Sequence, residues 1–139
     1  MVPLVSACAK EEPTTFLPHT LRIAGAEARW RDTGLKNYSF NSTVMCFCFG
    51  DFSDPKRVTV RNGIVTAVVD RRSGRSHPLA WRQPIDSLFA RARREAITLP
   101  ARLQVNFDAR LGYPRRLSYG EQALDAGATI TIDSLQADP

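Results

Sequence analysis

The sequence predicts an α+β fold, with one curved antiparallel sheet of about six strands and two helices on one face. Three observations carry this. Two stretches have helical apolar spacing, near 20–33 and 87–97. Six runs have β character and are joined by short turns, which implies antiparallel pairing. The order is helix, three strands, helix, three strands, which suggests a duplicated α-β-β-β unit.

The totals are compatible with this. The chain has 139 residues, enough for one domain with its own core. Hydrophobic residues make up 43% and charged residues 24%, an ordinary globular balance. Net charge is +5 and comes almost wholly from scattered Arg, which reads as a solvated basic surface. No run of 18 apolar residues occurs, so no segment reads as a membrane span.

Residues 1–19 read as a leader remnant and linker, and residues 20–136 as the α+β domain. Leu4-Val5-Ser6-Ala7-Cys8 resembles a bacterial lipobox, in which small residues precede a Cys that takes a lipid. That makes Cys8 a lipidation candidate and predicts an exported lipoprotein of the bacterial cell envelope, attached to the membrane by its lipid alone. A signal peptide also needs a basic start and an apolar run of about 7–15 residues. Only seven residues precede Cys8, none of them basic. Either the start lies upstream, or the match is accidental.

The first helix is expected from Thr20, as N-cap, to about Thr33. Ile23, Ala26 and Trp30 form its apolar stripe, and Gly34 is placed to end it. One long strand then spans Asn37 to Phe49. Tyr38, Phe40, Val44, Cys46 and Cys48 share one face, interrupted by Ser42. Ser39, Asn41 and Thr43 make the other face, polar and wet, until it changes to Met45, Phe47 and Phe49.

Residues 50–56 read as a loop. Asn62-Gly63 between two Val-rich runs predicts a type I′ hairpin that pairs Arg61 with Ile64 and Val60 with Val65. Val58, Val60, Val65, Ala67 and Val69 then face the core. A polar, Arg-rich connection runs from Asp70 to Gln83. The second helix spans Ser87 to Ile97, with Asp86 as its cap. Ile85, Leu88, Phe89, Ala92 and Ala96 face inward, and Arg91, Arg94 and Glu95 face outward. Leu103, Val105 and Phe107 are the inward residues of the next strand. A turn at Leu111–Pro114 leads to a strand at Arg115–Tyr119, and Ala128–Asp133 is the last strand.

The motifs together resemble the bacterial domain-of-unknown-function family numbered 6174, found in small exported proteins and lipoproteins. The similar residues are Trp30, Asn37-Tyr38-Ser39-Phe40, Cys46-Phe47-Cys48, Val58 to Val65 around Asn62-Gly63, Ile85 to Phe89, Val105 to Asp108 and Leu111 to Pro114. The resemblance implies export and a single domain, and brings no activity.

With Cys8 lipidated, Cys46 and Cys48 remain as a disulfide or as two buried thiols. In an extended strand their Cα atoms would lie roughly 6.5–7 Å apart, at the disulfide limit of about 6.8 Å. Bonding therefore demands a bend. A thiol-redox or metal-dependent centre at this pair is the rival functional reading, but neither His19 nor His77 stands in ligand spacing to it. Met45, Phe47, Phe49 and Phe52 form a candidate partner surface. No Ser-His-Asp pattern, phosphate-binding Gly loop or basic-aromatic interleaving occurs, so no catalytic residue, cofactor or nucleic-acid partner is implied. The sequence thus points to a non-catalytic binding or accessory module with an envelope or extracellular protein as partner.

Overall fold

The computed structural model describes Glu11, residues 18–46, Cys48, residues 50–120 and residues 127–139. Cys8, Phe47 and Phe49 lie outside the described residues. No helix among the described residues is long and apolar enough to cross a membrane.

Among the described residues, two α-helices and six strands form the expected α+β fold. Helix α1 spans His19–Asp32 and α2 spans Ile85–Thr98. The strands are β1 Tyr38–Met45, β2 Lys56–Arg61, β3 Ile64–Asp70, β4 Gln104–Phe107, β5 Pro114–Tyr119 and β6 Ala128–Ala137. They form one sheet in the order β3-β2-β1-β6-β5-β4, antiparallel throughout. The element order of the first half recurs in the second. The two three-strand meanders meet at the centre of the sheet, where the first strand of one pairs with the last strand of the other.

Both helices pack on one core. Ile23, Ala26 and Trp30 from α1 join Ile85, Leu88, Phe89, Ala92 and Ala96 from α2 over Tyr38, Phe40, Val58, Val60, Val105, Phe107, Leu117 and Ile132. Each helix starts earlier than its expected cap. Pro18 holds the N-cap position of α1, and Leu21 and Arg22 donate to its carbonyl, so Thr20 lies inside the helix. Pro84 likewise precedes α2. Asp86 caps no backbone there and instead accepts the Trp30 indole N–H at 2.9 Å, tying α2 to α1. The Ile85 N–H, which a helix start leaves without an internal partner, donates to the Tyr38 hydroxyl at 3.0 Å. Burial is the main cause that raises that phenol to about 12. Glu95, expected to face outward, is covered, with Arg91 Nη1 3.4 Å from its carboxylate.

The hairpin forms as its sequence requires. Asn62 and Gly63 have φ of 55° and 78°, and Arg61 pairs with Ile64 and Val60 with Val65. Beyond that pair the register slips, because Thr59 faces Ala67 and Thr66 is an extra residue on β3. A bulge reverses the facing of everything after it. Val68 is therefore buried, while Ala67 and Val69 are only half-buried, contrary to simple alternation.

The outer face of β1 is not wet. Ser39 and Asn41 are both 7% exposed. Arg57 on β2 lies across them: Nη1 donates to Asn41 Oδ1 and the Ser134 carbonyl, and Nη2 to Ser39 Oγ and Gln136 Oε1, all at 2.8–2.9 Å. One planar guanidinium thus stitches β2 to β6 over β1. The β1–β6 register also shifts between Ser39 and Asn41, where β6 carries the extra residue and Ser134 adopts φ 53°.

Candidate functional site

The strand expected to run to Phe49 ends at Met45, and the chain bends at Cys46. That bend brings the Cα atoms of Cys46 and Cys48 to 5.3 Å, and the two form a disulfide. Cys46 is half-buried and Cys48 is exposed, so neither belongs to the core. The expectation of two core-facing sulfurs on a continuing strand is corrected by the bend. Among the described residues the pair belongs to no cluster of metal-ligating side chains, and nothing supports a thiol-redox role for it.

The disulfide borders a pocket of about 420 Å³ on the helix-bearing side of the sheet. Ser42 and Val44 of β1, with Ala128, Ile130 and Ile132 of β6, form the sheet side. Leu88 and Arg91 come from α2, Tyr119 ends β5, and Phe52, Trp81 and Arg82 come from the connecting loops. The volume is in the range of small-molecule sites, about 300–1,000 Å³. Most of the lining is apolar or aromatic.

The loop wall is held by buried charge. Lys56, read from sequence as the end of a loop, opens β2 and is fully buried. Its ammonium donates to the Asp51 and Asp54 carbonyls and to Asp70 Oδ2, and lies 5.8 Å from the Trp81 ring centre. His77 stacks on Trp81 with ring centres 4.7 Å apart, and Phe52 meets Trp81 edge-on at 5.3 Å. Asp51, Asp70 and His77 bring their ligand atoms within 4.8 Å of one another. Lys56 already sits on Asp70, so this cluster carries its own cation.

Arg82 is the most unusual residue of the lining. It is 4% exposed. Nη1 donates to the Trp81 carbonyl at 2.9 Å, and Nη2 to the Phe52 and Asp54 carbonyls at 2.8 and 3.0 Å. Among the described residues Nε is buried without an acceptor, and no carboxylate pairs with the guanidinium. Burial lowers its pKa to about 10. Buried cations are normally matched by an anion. Nearer the opening, the Arg91 guanidinium lies 4.8 Å over the Tyr119 ring.

Of the candidate partner residues, Met45 is 67% exposed and is not in the pocket lining, whereas Phe52 is half-buried in the pocket wall beside the disulfide. Sequence reasoning missed Lys56, Asp70, His77, Trp81 and Arg82, all assigned to loops. The available signal was Leu79-Ala80-Trp81, an apolar run inside the otherwise polar, Arg-rich connection from Asp70 to Gln83.

Fold and pocket define an α+β protein with a single open sheet and a small concave site at one end of it. The profile of the family of unknown function DUF6174 matches residues 22–137, and the chain belongs to that family. No curated protein and no solved structure matches the chain.

Proposed function

We propose that the protein is an exported, lipid-anchored, non-catalytic module of the bacterial cell envelope, and that it binds an envelope or extracellular protein through the pocketed end of its sheet. The observation that carries the binding role is the pocket, which places an apolar concavity beside a buried guanidinium that has no carboxylate partner among the described residues. The lipobox-like run ending at Cys8 supports the address.

A photo-crosslinking residue at Met45, in protein expressed from the full-length gene, tests the binding role in the native envelope. The expected result is a discrete adduct that Ile130→Trp, which fills the pocket, abolishes. A native envelope that yields no adduct, or one indifferent to Ile130→Trp, rejects the pocket as the contact site. Metabolic labelling with a lipid precursor tests the anchor, and no label at Cys8 rejects it.

A further inference from the structure

The pocket also indicates the chemistry of what enters it. Arg82 presents five N–H donors, and three of its bonds are to the carbonyls of Trp81, Phe52 and Asp54. Those carbonyls orient the guanidinium without neutralising it, and Nε has no acceptor among the described residues. The apolar lining includes Val44, Leu88, Ala128, Ile130 and Ile132, and the second cation of the lining, Arg91, lies over the Tyr119 ring. No carboxylate side chain is among the described lining residues.

We infer that the pocket takes a monocarboxylate with an apolar body, its carboxylate toward Arg82 and its apolar part against Leu88, Ile130 and Ile132. This rests on the binding reading above and specifies its chemistry. Affinity arises from two sources. Apolar burial is favourable but indifferent to charge. The carboxylate adds charge-assisted hydrogen bonds to a guanidinium that is already desolvated and already oriented, so little is lost in arranging it. A neutral analogue of the same shape gains only the first. An ammonium analogue meets a buried like charge and is excluded.

Two sources offer this chemistry: a free fatty acid, or the C-terminus of a polypeptide ending in an apolar residue. Calorimetric titration of the full chain at pH 7.5 distinguishes them with two matched pairs, decanoate against decanol and acetyl-Ala-Leu-Phe acid against its C-terminal amide. We expect one acid to bind one per chain, roughly tenfold or more tighter than its neutral partner. Which pair shows the preference names the source. The Arg82 Nε–H resonance should move downfield on binding of that acid and stay in place with the neutral analogue. Arg82→Gln should erase the preference. Because Arg82 also holds three loop carbonyls, Ile130→Trp serves as a second variant and should abolish binding of both members of the pair. Equal binding of acid and neutral forms, or no binding of any probe, overturns the inference. A crosslinked adduct that survives either of those results leaves the binding reading standing, so the two failures are distinguishable.

Discussion

Lys56 Nζ and Asp70 Oδ2 lie 3.3 Å apart, with side chains 0% and 6% exposed. They begin β2 and end β3, the two arms of the Asn62-Gly63 hairpin, and they pair in register across it. Hairpin register and buried charge therefore specify the same alignment. The ammonium also gathers the carbonyls of Asp51 and Asp54, so the loop that carries Phe52 is fixed to the open end of the hairpin.

Replacing Lys56 with Met removes the cation while keeping the length of the stem. It leaves a buried carboxylate without its cation and takes one donor from each of the Asp51 and Asp54 carbonyls. Loss of one member of a buried pair costs about 3–5 kcal/mol. Urea denaturation of Lys56→Met should show a loss of that order. A variant as stable as wild type would mean that the ammonium is not the anchor of the loop.

Asp70 gives the stability an acid-sensitive component. Its carboxylate accepts the N–H groups of Ser73 and Arg72 at 2.9 and 2.8 Å, and these bonds, then Lys56, lower its pKa from 3.8 to about 2. The folded state thus binds this proton less readily than the unfolded state does. The contribution is fully present above about pH 4 and is lost as pH falls through 3.8 towards 2. Asp70→Asn keeps an acceptor for the two N–H groups but has no charge to titrate. Its stability deficit relative to wild type, read from urea midpoints, should shrink between pH 4 and pH 2. A deficit that is constant with pH would assign the acid sensitivity to other carboxylates.

Trp30 and Asp86 link the two helices. The bond between the indole Nε1 and Asp86 Oδ1 is 2.9 Å long, and Trp30 also meets the rings of Tyr38 and Tyr113 edge-on. Asp86→Ala should cost about 1.5–3 kcal/mol, as expected for a hydrogen bond to a charged group. Paired with Trp30→Phe, it should add clearly less than it costs alone, the sign of a direct interaction. Strict additivity of the two changes would rule out coupling through this bond.

Two glycines with similar backbone should respond differently to alanine. Gly63 has φ 78° and open space where a Cβ would lie. Gly112 has φ 87°, and a Cβ there would overlap the Ala26 carbonyl and crowd Arg29 and Trp30. Gly63→Ala bears only the left-handed backbone penalty, about 1–2 kcal/mol. Gly112→Ala must also push α1 off the turn beneath it, and thermal melts should show it to be the more damaging change. Equal melting temperatures would mean that α1 yields without cost.

Much of the fold was legible because it depends on neighbours in sequence. The helix stripes of α1 and α2, the Asn62-Gly63 turn and the alternation of Leu103, Val105 and Phe107 each express a local period or a local dihedral demand. Errors appeared where a single residue changed the phase. Thr66 bulges and turns Val68 inward in place of Ala67 and Val69. The bend at Cys46 cuts the first strand short and brings the cysteines close enough to bond. No periodicity announces either event, since each is set by what the partner strand or loop requires.

The pocket was the least legible part. Its lining joins residues from 42 to 132, contributed by three strands, one helix and three connecting segments. Arg82 and Lys56 look like ordinary surface cations in a basic chain, and only packing reveals that both are buried and that one of them has no carboxylate among the described residues. By itself the sequence determined the α+β class, the hairpin, the two amphipathic helices and the family, because hydrophobic period and turn chemistry act over a few residues. Tertiary structure alone decided the bulges, the Arg57 stitch, the Lys56 anchor and the charge of the pocket. Burial and long-range hydrogen bonding exist only once distant segments have met.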